Sequence, residues 1–310
     1  MIEVLLLLAL PASGKSEVRR YLESLSTDER LRTFGLGRMV QLDDFPYVHL
    51  MRRISEEARE IGVEPPFFAD DGPFIDRRDW GTLVALLNED FAWLGDPPTI
   101  DVAPGAWIFD RLERARRLVG ADGWFETIDP ESRRRVEEAI DDDARPLLDE
   151  TCSRRLEQGD TVVIEFARGM PAGTVCPPAP PLGYGHSLSL LAPDILDRAT
   201  IVYVCVSPEE SRRKNRERSV PGADGSILHH GVPERVMLED YGEDDFLWMM
   251  SSEDCVRVES EGRSHVLPAS VFDNRGDFTS FLREDPADWA DENVVNLQAR
   301  LAEAFGRIRD

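Results

Sequence analysis

Lysine is almost missing from this chain. Of its 36 basic residues only Lys15 and Lys214 are lysines, and the rest are arginine. Against them stand 60 acidic residues, for a net charge of −24. That balance excludes a broad nucleic-acid or anionic-membrane surface, since both partners are polyanions. A local arginine pocket for a small anion is still allowed. Cysteine is scarce too. Cys152, Cys176, Cys205 and Cys255 lie far apart, which excludes a disulfide scaffold and any paired metal-ligand motif. Cys205 sits in an apolar run and reads as core. The five histidines are scattered apart from His229-His230. Long apolar runs are absent. The run at 4–10 is much too short for a bilayer, which takes about 20 apolar residues, so no membrane partner is expected. Only Met1, Ile2 and Glu3 precede it, so the basic flank of an export signal is missing and a reducing cytoplasm is the expected compartment. There are no internal repeats. With 42% hydrophobic residues the chain can bury a sizeable core, read as one domain over 1–310.

What is present begins with EVLLLLALPASGKSEV at 3–18. A short, continuous apolar run ended by Pro and Gly predicts a strand buried on both faces, as in a parallel sheet. Ala9 to Ser16 then has the spacing of a phosphate-binding loop, with Ala where the first Gly usually stands. Gly14 lets the backbone curl so that successive N–H groups meet phosphate oxygens. Lys15 reaches the β- and γ-phosphates, and the Ser16 hydroxyl is placed for Mg²⁺. Val18, Tyr21, Leu22 and Leu25 recur at helical spacing, so a helix start faces the anion. Pro11, Ala12, Ser13, Gly14, Lys15, Ser16 and Glu17 are therefore the candidate nucleotide cradle. In a chain built on arginine, a lysine at this position suits a compact point charge against phosphates.

Further along, 39–42 reads as a strand ending in Asp43-Asp44-Phe45, and a helix after Pro46 carries Arg52 and Arg53. The segment 62–158 is mainly helical insertion. Within it Trp80, Leu83, Val84, Leu87 and Phe91 share a helix face. The stretches 131–144 and 146–158 predict two helices, or one kinked at Pro146, closed by Gly159 as a C-cap. The acidic run 141–143 reads as a solvated face. A buried strand at 161–166 carries Glu165 near its end and Arg168 just beyond. A Pro-rich loop at 177–185 leads to a helix at 187–197. After a buried strand at 200–206, Ser207 and Pro208 start a helix bearing Arg212, Arg213, Lys214, Arg216 and Arg218. A loop over 220–242, a helix over 244–250, a last strand over 264–272 and a tail helix with Val294, Leu297, Leu301 and Phe305 complete the reading. The expected fold class is α/β, a parallel sheet with helices on both faces.

The order of these signals carries a resemblance. QLDDFPY at 41–47 resembles the segment that supplies the catalytic aspartate in uridine and nicotinamide riboside kinases. VSPEESRRKNRERS at 206–219 resembles the start of the lid in adenylate-kinase-like enzymes. VFDN at 271–274 is similar to a loop that packs on adenine. With the loop at 9–16, the chain resembles the P-loop kinases of nucleosides, nucleotides and small metabolites over roughly 1–55, 160–220 and 262–275. The resemblance implies a P-loop NTPase sheet with an arginine-rich lid at 208–250. It implies ATP and Mg²⁺, with Ser16, Asp43 and Glu165 toward the metal and Lys15, Asp43 or Asp44, and Arg168 in catalysis. Arg212, Arg213, Arg216 and Arg218 would supply cations around the moving phosphoryl group, and Asn274 would pack on the base. The acceptor expected is a small, nucleoside-like hydroxyl compound held by 62–158. Phe67, Phe68, Phe74, Trp80, Trp93 and Trp107 serve mainly as core there, with stacking surface as the second use. A nucleoside monophosphate or nucleic-acid kinase, and a nucleotide-dependent switch without transfer, are the rival readings.

Overall fold

A computed structural model describes residues 1–121, 123–218, 231–250 and 254–308. The part of the expected lid at 219–230, with His229 and His230, lies outside the described residues.

The sheet has six strands: β1 (Val4–Leu8), β2 (Met39–Asp43), β3 (Thr161–Phe166), β4 (Ala199–Cys205), β5 (Cys255–Ser260) and β6 (Arg263–Asp273). Their spatial order is β2-β3-β1-β4-β6-β5. The first five positions in that order pair in parallel. β1 lies at the centre, which is why its sequence is apolar without alternation. Val4, Leu6 and Leu8 point into one core with Val84, Leu87, Leu188 and Ile195. Leu5, Leu7 and Ala9 point into the other with Val18, Tyr21, Leu22, Leu301 and Phe305. Both faces are thus covered by helices, as a parallel sheet requires.

The edge departs from the all-parallel expectation. β5 runs antiparallel to β6, with Ser260 opposite Arg263. Glu261 and Gly262, at φ 50° and 75°, form the two-residue link. Two consecutive left-handed residues match the right-handed twist of a hairpin.

Between β2 and β3 the chain builds a helical layer with a core of its own. It contains helices Phe45–Glu60, Asp79–Trp93, Pro104–Leu118, Trp124–Thr127, Pro130–Ala139 and Asp141–Ser153. Leu50, Ile54, Phe67, Leu83, Trp107, Leu112 and Val136 fill the centre. The break in the acidic stretch falls at Ile140 rather than Pro146, which rides inside the second helix. That helix ends at Ser153, so Gly159 is not its cap; at φ 93° Gly159 turns the chain into β3. The expected helix at 187–197 is two short ones, Gly183–Ser189 and Pro193–Leu196. Part of the segment read as loop is the helix Glu234–Glu239, and only Phe246–Met249 is helical in 244–250. No helix among the described residues is long and apolar enough to cross a membrane.

Candidate functional site

The loop between β1 and the helix Lys15–Ser24 is held from three sides. The Tyr184 hydroxyl donates to Ala9 O at 2.9 Å and accepts from Ala9 N at 3.0 Å. The Ser13 hydroxyl donates to Leu10 O at 2.5 Å. Asn274, fully buried, donates its amide to Ser13 O at 2.7 Å and to Thr279 Oγ1 at 2.8 Å. Its carbonyl oxygen accepts from Phe278 N at 2.7 Å. Both amide hydrogens are therefore used within the protein, one of them on the loop, so Asn274 has none to donate to a base. Gly14 stands at φ 99°, and a Cβ there would lie 2.3 Å from Thr279 Oγ1. Only glycine satisfies both the backbone and the close approach.

Pro11, Ala12, Lys15 and Ser16 open onto a cavity of about 320 Å³, together with Asp43, Asp44, Glu165 and Arg218. The helix Lys15–Ser24 starts there without a side-chain cap. Its first N–H groups are thus available to an anion. Ser13 and Gly14 shape the loop from behind. The two lysines have different surroundings. Lys214 is buried against Asp277 at 2.7 Å, whereas the Lys15 ammonium has no hydrogen bond or ion pair among the described residues.

Asp43 and Glu165 are in register at the carboxyl ends of the adjacent strands β2 and β3. Asp43 accepts from Phe45 N at 2.9 Å and from the Gln41 amide at 3.3 Å. Burial pushes its carboxyl up to about 7, the neighbouring Glu165 charge adds to this, and Lys15 partly offsets it. Glu165 is met by the Arg19 guanidinium at 2.8 Å, an ion pair without hydrogen-bond alignment. Sequence reasoning missed Arg19. The available signal was its place one helical turn after Lys15, on the face toward β3.

Asp44 occupies the N-cap position of Phe45–Glu60 but makes no side-chain cap bond. Its carboxylate instead accepts from Arg168 Nη1 at 2.6 Å. Arg168 also donates to Ser187 Oγ at 3.0 Å and to Trp80 O at 3.3 Å, and is only 2% exposed. It sits behind Asp44, not on the cavity wall.

The remaining cradle and lid candidates divide. Glu17 is buried between Arg218 at 2.5 Å and Arg283 at 2.8 Å. Burial raises its carboxyl, but those two guanidinium groups outweigh burial and hold it below the usual range. Arg218 is the expected lid arginine that lines the cavity. Arg213 pairs with Glu210 at 2.6 Å and Arg216 with Glu234 at 3.2 Å on the surface. Arg212 faces a separate depression beside Cys205 and Pro208.

The far end of the cavity is apolar. Phe68 stacks on Phe74 at 4.5 Å, Phe74 meets Trp80 edge-on at 4.9 Å, and Trp80 meets Tyr241 at 5.6 Å. Val48, Pro73, Pro233 and Val236 complete the wall. Phe67 and Trp107 belong to the helical core, and Trp93 packs at its margin. Tyr241 and Val236 come from a segment whose sequence reads as loop, so only the fold could reveal them. Among the described residues no group of three or more His, Cys, Asp or Glu side chains could hold a metal by itself. Comparison of the chain with protein-family models, curated proteins and solved structures found no match.

Proposed function

We propose that this chain is an ATP- and Mg²⁺-dependent phosphotransferase that acts on a hydroxyl of a small molecule. The observation that carries this reading is the Lys15 ammonium, without a hydrogen bond or ion pair among the described residues, at an uncapped helix start on the same cavity as Asp43. A free cation beside exposed N–H groups suits the phosphates of a nucleotide. Mg²⁺ is usually bound through one or two carboxylates together with substrate phosphates and water. Ser16 and Glu165 fit that demand and leave Asp43 to the acceptor, although no all-protein metal cage exists among the described residues. When bound, the ion would neutralise charge on the phosphates.

Asp43 is the group suited to proton transfer, since its carboxyl near 7 can be free at neutral pH and still accept a proton. In the reaction the acceptor O–H gives its proton to Asp43 as the oxygen bonds to the γ-phosphorus. The bond from that phosphorus to the bridging oxygen breaks, and ADP leaves with the electron pair. Asp44, already neutralised by Arg168, serves to fix the end of β2. Arg218, on the same cavity wall and paired with Glu17 at 2.5 Å, would supply a cation toward the moving phosphoryl group. The acceptor would lie against Phe68, Phe74 and Trp80 of the 62–158 segment.

The test is an ATP-consumption screen of the purified protein against pooled small hydroxyl compounds, with the phosphorylated product identified by mass. Acceptor-dependent ADP release supports transfer. Nucleotide binding with no phosphorylated product supports the switch reading in its place.

A further inference from the structure

Two donors on the apolar end of the cavity have no carboxylate partner at ion-pair or hydrogen-bond distance among the described residues. Arg52 lies one turn beyond Val48 on the helix Phe45–Glu60, with its guanidinium carbon 4.0 Å from the centre of the Phe68 ring. Its one hydrogen bond goes to Gly72 O at 3.3 Å, and no carboxylate among the described residues pairs with it. The adjacent Arg53, by contrast, takes Glu56, Glu57 and Asp143. The Tyr241 hydroxyl likewise makes no hydrogen bond among the described residues, and its residue lines the same cavity. Arg20 is also half-buried without a carboxylate partner among the described residues, but Arg52 differs in lining the cavity. Leaving a charge desolvated and unpaired is costly. The cost is removed if a ligand brings the anion.

We propose that Arg52 and Tyr241 hold a carboxylate of the acceptor, and that the acceptor is a hydroxy acid with an apolar or aromatic body. The hydroxyl part of this statement rests on the phosphotransferase reading; the carboxylate part does not. A guanidinium presents a planar fork that matches a carboxylate in two parallel hydrogen bonds. The phenol supplies one more donor, and Phe68, Phe74, Trp80 and Val236 offer surface to the body. The charge count favours a monoanion. Among the described residues Arg52 is the guanidinium on this part of the wall; Asp240 also lines it but is paired with Arg77 at 3.3 Å, and Asp71 lines it as well. A phosphate monoester, with nearly two negative charges, would be undercompensated there. A neutral nucleoside would leave the guanidinium unpaired.

The experiment is calorimetric binding to the full chain, without nucleotide. The probes are para-(hydroxymethyl)benzoate, mandelate and hydroxycyclohexanecarboxylate, each beside its carboxamide, with uridine and uridine monophosphate. The acids should bind and their amides should not. Arg52→Gln should weaken acid binding by roughly 10- to 100-fold, the scale of a hydrogen-bonded charge contact. Arg52→Lys should recover part of it, and Tyr241→Phe should cost less than Arg52→Gln. Thermal unfolding of Arg52→Gln should fall only slightly, since the change removes the stacking on Phe68 and one long hydrogen bond but no ion pair among the described residues. Equal binding of acid and amide, stronger binding of uridine or its monophosphate, or no acid bound at all would overturn the proposal. Nucleotide binding is measured separately in the same samples. Its absence beside Arg52-dependent acid binding sinks the phosphotransferase reading and leaves the carboxylate site standing.

Discussion

Asp44 and Arg168 meet at 2.6 Å in a nearly solvent-free position, although 124 residues separate them in the chain. The contact divides two neighbouring aspartates. Both line the cavity, but Asp44 is spent on a guanidinium and Asp43 is not.

The two should therefore fail in different ways. Asp43→Asn should lower transfer by roughly 10²- to 10⁴-fold, the usual contribution of a positioned acid–base group, with the fold intact. Asp44→Asn should lose stability instead, because it leaves the Arg168 charge buried without its partner. Breaking a buried pair costs about 3–5 kcal/mol. Turnover and thermal unfolding measured on both variants separate these outcomes. Two variants with the same profile would contradict the division of labour.

The Asp43 carboxyl also sets a pH dependence. Its folded value is raised from 3.8 to about 7, by burial first and then by Glu165. Between those values the folded chain holds a proton that the unfolded chain has released. Stability from this group is full below about 4 and is lost as pH rises through about 7. Asp43→Asn removes the titration. Its melting temperature should gain on wild type steadily from pH 4 to pH 7 and then stay level. Transfer by the wild type should show the opposite limb, rising as pH climbs through about 7, because the base must be unprotonated. A difference in melting temperature that does not change with pH would place the proton elsewhere.

Much of this arrangement is legible in the residues alone, for physical reasons that stop at identifiable places. The unbroken apolar run of β1 announces a central parallel strand, and Gly14-Lys15-Ser16 announces the turn after it. Both signals are local. β5 was missed although Cys255–Ser260 alternates in burial and Glu261-Gly262 closes a hairpin, because the strand is short and follows no helix. The partners of Arg168, Glu165 and Asn274 were not legible. Each contact joins residues over 100 positions apart, or depends on which side of a loop faces a strand end. Tyr241 reached the cavity only through tertiary packing, since nothing in its own neighbourhood fixes where it points.

The two lysines provide a matched pair of substitutions. Lys15→Ala should reduce turnover by roughly 10²-fold or more, the scale of losing one oriented electrostatic group. Its stability should barely change, because the ammonium has no hydrogen bond or ion pair among the described residues. Lys15→Arg should fail as well, since a wide planar fork does not replace a point charge in a tight loop. Lys214→Ala should do the reverse, leaving Asp277 without its 2.7 Å partner and costing on the order of 1–3 kcal/mol. Nucleotide affinity and denaturant midpoints for the three variants provide the check. A Lys15→Ala protein that binds and turns over normally would remove the basis for the nucleotide site.

Asn274 offers the sharpest choice between the resemblance and the structure. As a contact to a bound base, it would set purine preference and matter little to the empty protein. As a clamp, it holds Ser13 O and Thr279 Oγ1 from a fully buried position, so its removal orphans polar groups in the interior. Asn274→Ala should then destabilise the chain by about 1–3 kcal/mol. It should also weaken ATP and GTP to the same degree, because the damage is to the loop and not to base recognition. Gly14→Ala should be more severe, with its Cβ set against Thr279 and its backbone at φ 99°. Thr279→Ser in the Gly14→Ala background removes a methyl but keeps the oxygen that the Cβ meets, so it should rescue little. Thr279→Ala removes that oxygen but leaves Asn274 Nδ2 2.6 Å from the added Cβ as well as the backbone strain, so it should recover only a small part of nucleotide binding. A variant of Asn274 that keeps wild-type stability while changing the ratio of ATP to GTP affinity would restore the base-contact role and remove the clamp.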